Sequence, residues 1–198
     1  MKNELGGKGA NLAEMCNMGL PVPPGFTIGT NVCTYYYENG QKFPDGLADQ
    51  VKDAMQKVES DMGKKFGDET DPLLFSVRSG ARVSMPGMME TVLNVGLTSN
   101  TITGLVAKTN NERFVYDAYR RLITMYADVV MEKATGIKPV EGQGIRQKLE
   151  QILNLFKKEN GLEKDTDLSG NQLQEIVEAY KKEIKNTLGS DFPDDPTA

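Results

Sequence analysis

Residues 76–97 read SVRSGARVSMPGMMETVLNVGL, and no other stretch of the chain is so hard to explain by packing alone. Arg78 and Arg82 stand four apart, directly before a loop containing Met85-Pro86-Gly87-Met88-Met89. Arginine is always charged and presents a planar fork of donors suited to phosphate or carboxylate. Glycine lets a backbone approach a ligand closely. Together these are the parts of an oxyanion cradle suited to a phosphate chain. The methionines, set around Pro86-Gly87 without periodic partners, suit a flap over a ligand, with core filling as the plainer use of methionine. Glu90 at the loop edge could orient an arginine or a metal, although one carboxylate makes no metal site.

Upstream, the apolar run Leu73-Leu74-Phe75-Ser76-Val77 reads as a buried strand that delivers Arg78 from its C-terminal end; open α/β sheets place ligand groups there. An arginine so placed needs a partner, either a ligand or one of the 28 acidic residues. Thr91–Val95 is a second short strand. Further back, Gly6-Gly7-Lys8-Gly9 precedes a helix ended by Gly19. That arrangement can hold an anion through backbone N–H groups, the helix N-terminus and the Lys8 charge. It lacks the GxxxxGK[ST] spacing of a Walker A loop, and a plain glycine turn with a solvated lysine has the same pattern. The proline-rich stretch 21–25 leads into a short strand over 26–28, followed by helices over 31–38 and 46–62. The latter sets Leu47, Val51, Ala54, Met55, Val58 and Met62 on one face.

From about residue 101 the pattern turns helical, with helices predicted over 101–108, 112–132, 143–158 and 170–188. The second places Val115, Tyr119, Leu122, Tyr126, Val129 and Val130 on one face, and the last has Ser169 as its cap. Arg120-Arg121 on the second could turn one arginine toward a cleft or partner, or both could be solvated. The reading is α+β: an α/β part over 1–100, a helical part over 101–189, and 190–198 as a linker or ragged end.

Composition bounds the chemistry. The chain has 198 residues, 38% apolar and 26% charged, with a formal charge of −5. It fits a water-soluble protein and disfavours a nucleic-acid binder, which neutralises phosphates with clustered cations. No apolar run approaches the ~20 residues of a membrane span, and MKNELGGKG has no apolar stretch of a signal peptide. A cytoplasmic setting is expected, with a plastid or other organelle left open. Cys16 and Cys33 have no metal or redox spacing and read as small buried or half-buried hydrophobes. There is no histidine, so a His-based zinc site, a Ser-His-Asp triad and a phosphohistidine carrier are all excluded from this chain.

Three stretches, GGKGANLAEMCNMGLPVPPGFTI, DPLLFSVRSGARVSMPGMMETVLNVGL and RFVYDAYRRLITMYADVVM, resemble the N-terminal nucleotide-binding domain of the pyruvate phosphate dikinase family. The resemblance covers most of residues 5–132; residues 140–198 match only in character. Water dikinases such as phosphoenolpyruvate synthase share the opening and an SVRSSA-like core, but typically not the SMPGMMETVLN continuation.

The resemblance implies part of an ATP-grasp type domain with a helical C-terminal subdomain. The family enzyme uses ATP, inorganic phosphate and Mg²⁺ to phosphorylate a histidine on a separate domain, which carries the phosphoryl group to pyruvate. The products are phosphoenolpyruvate, AMP and pyrophosphate. By motif match, Lys8 and Arg78 would contact ATP phosphates, as the catalytic and nucleotide-binding groups of this chain. Arg82 would hold ATP or inorganic phosphate, and Gly87 and Met89 would belong to the loop over the transferred groups. The metal ligands, the histidine carrier and the pyruvate-binding barrel are expected outside this chain, in an enzyme that is typically a homodimer. The chain thus reads as an N-terminal fragment, inactive alone. The alternatives are a fragment of a water dikinase, or a non-catalytic module binding nucleotide or a partner through the Arg120-Arg121 helix.

Overall fold

The computed structural model describes residues 1–80 and 91–197. Arg82, Met85, Gly87, Met88, Met89 and Glu90, on which the loop reading rests, lie outside the described residues. The architecture is α+β, with many helices and, among the described residues, two small two-stranded sheets. The chain divides into two compact units: residues 1–64 with 78–90, and residues 65–77 with 91–198.

In the first unit, α1 (Lys2–Asn17) is interrupted at Gly6, whose φ of 69° and ψ of 178° lie outside helical space. The helix ends before Gly19, which has φ 73°. Helix α2 (Thr30–Glu38) packs on α1, and the Thr30 hydroxyl donates to the Asn3 carbonyl. Tyr36, half-buried, meets the Phe43 ring at 5.0 Å between centroids. Helix α3 (Leu47–Met62) buries Val58 and half-buries Leu47, Val51, Ala54 and Met55, but leaves Met62 exposed. Residues 26–28 form no strand. Cys16 and Cys33 are exposed, which corrects the expectation that both are buried or half-buried. Small apolar character says how a residue could pack, not that its helix face has a neighbour.

The run expected as one buried strand is instead divided. β1 (Lys65–Phe66) pairs in parallel with β2 (Pro72–Leu73), in register Lys65↔Pro72 and Phe66↔Leu73. β3 (Phe75–Arg78) pairs with β4 (Thr91–Val95). Leu73 is buried and Phe75 half-buried, but Ser76, Val77 and Arg78 are exposed. The turn between β1 and β2 is closed by Asp68, whose Oδ1 accepts from the Thr70 hydroxyl at 2.6 Å and from the N–H groups of Thr70 and Asp71, both at 2.8 Å. These donors hold its carboxyl down to about 2. Gly104 of α4 (Ser99–Thr109) lies against this turn: a Cβ there would be 1.9 Å from the Glu69 carbonyl oxygen.

Helices α4, α5 (Glu112–Tyr126), α6 (Ile145–Glu159) and α7 (Gly170–Leu188) pack around one core. That core holds Val115, Tyr119, Leu122, Ile123, Leu149, Ile176, Tyr180 and Ile184. Ser169 caps α7 as expected, its hydroxyl accepting from Gln172 N–H at 3.3 Å. Phe192, from the stretch expected as a linker or end, is buried in the same core. It stands edge-on to Tyr126, with centroids 5.6 Å apart.

The apolar face expected to run through Val130 fails where α5 passes into a π-helical stretch, Ala127–Lys133. A π turn takes more residues than an α turn, so it rotates the face. Ala127, Asp128 and Glu132 go inside, and Val130 is left 37% exposed. The buried carboxylates are partnered. Asp128 accepts from Arg146 Nε at 2.8 Å and Lys133 Nζ at 3.0 Å. Glu132 accepts from the Ile145 N–H at 2.8 Å and so closes the N-terminus of α6.

Candidate functional site

Gly6 permits a close approach between two backbone segments. Its φ/ψ pair falls in a region that only glycine occupies readily. A Cβ there would lie 1.5 Å from the Gly80 carbonyl oxygen. The opening turn of α1 therefore abuts the chain two residues beyond Arg78, inside one compact unit. The break at Gly6 begins a fresh helical segment at Gly7-Lys8-Gly9, and the first N–H groups of a helix have no partner within it. Lys8 is half-buried on that turn.

Arg78 is exposed at the end of β3, which overturns the picture of an arginine desolvated by a buried strand. Neither Lys8 nor Arg78 forms an ion pair with another described residue. Of the other expected site residues, Arg82, Gly87 and Met89 lie outside the described residues. Among the described residues no group of three or more Cys, Asp or Glu side chains could hold a metal ion. An open hollow of about 910 Å³ in the first unit is lined by Asn3, Glu4, Thr30, Asn31, Tyr35 and Glu38 among others, and neither Lys8 nor Arg78 contributes to it.

The two arginines of α5 behave differently from either expectation. Arg120 is buried, and donates to Asp117 Oδ1 from Nη2 at 2.7 Å and from Nε at 3.2 Å. It also reaches Asp165 Oδ2 at 3.3 Å. Burial opposes its charge, but the Asp117 carboxylate outweighs this and the guanidinium is held more firmly protonated than usual. Arg121, 59% exposed, donates to the other Asp117 oxygen at 2.9 Å. One carboxylate thus holds both arginines, so Arg120 is not available to a partner. The spacing Asp117, Arg120, Arg121 (i, i+3, i+4) was the signal in the sequence. The Gly6–Gly80 contact had none, since the two glycines are far apart in the chain.

The class of protein is an AMP/ATP-binding domain: the family model described as "Pyruvate phosphate dikinase, AMP/ATP-binding domain" matches residues 2–45 and 39–135. The chain belongs to this family. It is 47% identical over 197 residues to the pyruvate, phosphate dikinase of Clostridium symbiosum, covering 99% of this chain and 21% of that protein. Against the Rhizobium meliloti (strain 1021) protein of the same name it is 48% identical over 195 residues, 98% of this chain and 20% of the relative. Against the chloroplastic pyruvate, phosphate dikinase 1 of Arabidopsis thaliana the figures are 47% over 196 residues, 99% and 19%. The chain therefore spans about a fifth of the length of the curated relatives it matches. No helix among the described residues is long and apolar enough to cross a membrane.

Proposed function

We propose that the chain is part of the ATP-grasp type nucleotide-binding domain of a pyruvate phosphate dikinase. In this reading Lys8 and Arg78 engage the phosphates of ATP, and Arg82 holds ATP or inorganic phosphate. Gly87 and Met89 belong to the loop over the groups being transferred. The observation that carries the reading is the abutment of Gly6 on Gly80, which joins the glycine turn bearing Lys8 to the segment bearing Arg78. The donor set fits the ligand: a lysine point charge, an exposed guanidinium and the opening N–H groups of a helix all favour anionic oxygens. ATP supplies the phosphoryl group. The residues of this chain orient the polyphosphate and offset its charge, which is where most of the catalysis of phosphoryl transfer lies.

Mg²⁺ is held by ligands outside this chain, as are the histidine that carries the phosphoryl group and the pyruvate site. The whole enzyme, a homodimer, turns ATP, phosphate and pyruvate into AMP, pyrophosphate and phosphoenolpyruvate. The SMPGMMET wording of residues 84–91 and the dikinase family match favour this over a water dikinase. Strict dependence of the whole enzyme on inorganic phosphate separates the two. Calorimetric titration with MgATP tests the site. Removing a charge-assisted hydrogen bond costs about 1.5–3 kcal/mol, so Arg78→Ala should weaken binding about tenfold or more, and Lys158→Ala, on α6 of the other unit, should leave it unchanged. Equal affinity in wild type and Arg78→Ala, or no binding by the wild-type chain, counts against the assignment.

A further inference from the structure

The stretch that follows α1 returns to it at Gly9, the residue after Lys8. Gly9 is buried, and a Cβ built there would lie 2.9 Å from Thr27 Cγ2 and 3.2 Å from Thr27 Oγ1. Unlike Gly6, Gly9 has no positive φ, so what position 9 requires is space rather than backbone freedom. Glycine there admits Thr27 to the turn that bears Lys8.

The two γ atoms of Thr27 both bear on Gly9 but differ in what they can do. The methyl packs on the glycine. The hydroxyl has no hydrogen-bond partner among the described residues, whereas the next hydroxyl along the chain, Thr30, is committed to the Asn3 carbonyl. Threonine is branched at Cβ and stiff about χ1, so packing of the methyl fixes the position of the hydroxyl beside the turn. A donor fixed in advance loses little freedom when it binds. Thr27 itself is exposed, and its neighbours at the turn are a lysine and the opening N–H groups of a helical segment. An anionic oxygen is the acceptor that suits all three kinds of donor.

We propose that the Thr27 hydroxyl is a further ligand of the polyphosphate, donating to a phosphate oxygen at the Lys8 turn while its methyl, packed on Gly9, sets it in place. The proposal rests on the reading that Lys8 and Arg78 engage the phosphates of ATP. It adds a neutral donor, supplied from outside α1.

The two γ atoms can be removed one at a time. Thr27→Val keeps the shape and loses the hydroxyl; Thr27→Ser keeps the hydroxyl and loses the methyl. Calorimetric titration of the 198-residue chain with MgATP reads both, and urea unfolding midpoints show that each variant is folded. A hydrogen bond to a charged acceptor is lost in Thr27→Val, which should weaken binding about tenfold. Thr27→Ser gives up only the pre-positioning and should stay within about threefold of wild type. The reverse order, with valine close to wild type and serine impaired, would mean that Thr27 serves packing alone and overturns the proposal. Equal affinity in all three forms overturns it too. Loss of affinity in Arg78→Ala with none in Thr27→Val sinks this proposal but leaves the nucleotide reading standing. An Arg78→Ala change without effect, or no MgATP binding by the wild-type chain, removes the nucleotide reading and this proposal with it.

Discussion

Gly6 and Gly19 both have positive φ, but they are not equivalent, and the difference turns the glycine cradle into a measurable claim. At Gly19 a Cβ would meet nothing within 4 Å, so alanine there carries only the left-handed backbone cost of about 1 kcal/mol. At Gly6 the φ/ψ pair costs a side-chain-bearing residue about 1–3 kcal/mol, and the new methyl would collide with a carbonyl oxygen that cannot rotate away. Gly6→Ala should therefore displace the opening of α1 from Gly80 and weaken MgATP binding along with the fold. Gly19→Ala should leave nucleotide affinity unchanged. Circular dichroism and calorimetry on the two variants make the comparison, and equal behaviour of both would count against the abutment. The sequence made it possible to single out glycines at 6, 7 and 9 as special, but not to say which of them meets Gly80. That depends on a contact between residues distant in the chain, about which local pattern is silent. Arg120 was misjudged for a related reason, because its burial depends on Asp165 arriving from beyond α6.

The elements were legible where periodicity was long and failed where it changed. Helices α5, α6 and α7 came through because each repeats an apolar stripe over several turns. The passage from α5 into the π-helical stretch did not, because a 3.6-residue period carried past Ala127 points Val130 inward. Nor did the division of residues 72–78 into strands of two different sheets, since a short apolar run cannot show where one ladder ends. A smaller element, the 3₁₀ turn Asp165–Asp167, has a clear electrostatic consequence. Asp165 accepts from Lys157 of α6 at 2.8 Å and from Arg120 of α5 at 3.3 Å. The Lys157 hydrogen bond first, then the Arg120 charge, hold its carboxyl below the ordinary range. A carboxyl with a depressed folded-state pKa adds stability in full above its unfolded value, about 3.9, and loses it as pH falls through the folded value. Urea denaturation between neutral and strongly acid pH should show stability declining over that acid range. Asp165→Asn should be less stable at neutral pH and lose less of its stability on acidification. An unaltered pH slope in the variant would mean that other carboxylates carry the effect.

At the scale of the whole molecule, the two units divide the labour of folding unevenly. The second has a continuous core from Val92 to Phe192, while the first has the glycine turn at Gly6 and little to hold it. Such a division suits a ligand site, since segments that must admit and release a ligand come from the less stable end of a structure. It also bears on what the chain can do by itself. In the proposed reaction a phosphoryl group is parked on an imidazole, and the chain contains no histidine. In that proposal Lys8 and Arg78 bind and polarise ATP, and this sequence supplies no imidazole to accept the phosphoryl group. The purified chain, given ATP, inorganic phosphate, pyruvate and Mg²⁺, should therefore form no AMP or pyrophosphate above the uncatalysed background, and should take up no acid-labile label from radiolabelled ATP. The same mixture with a full-length relative should give both products. Turnover by the chain alone would require an acceptor other than histidine and would remove the reason for placing the second half of the chemistry elsewhere. Silence in this assay together with measurable MgATP affinity is the combination expected of half a site: one that grips the donor while the acceptor is carried by another part of the enzyme.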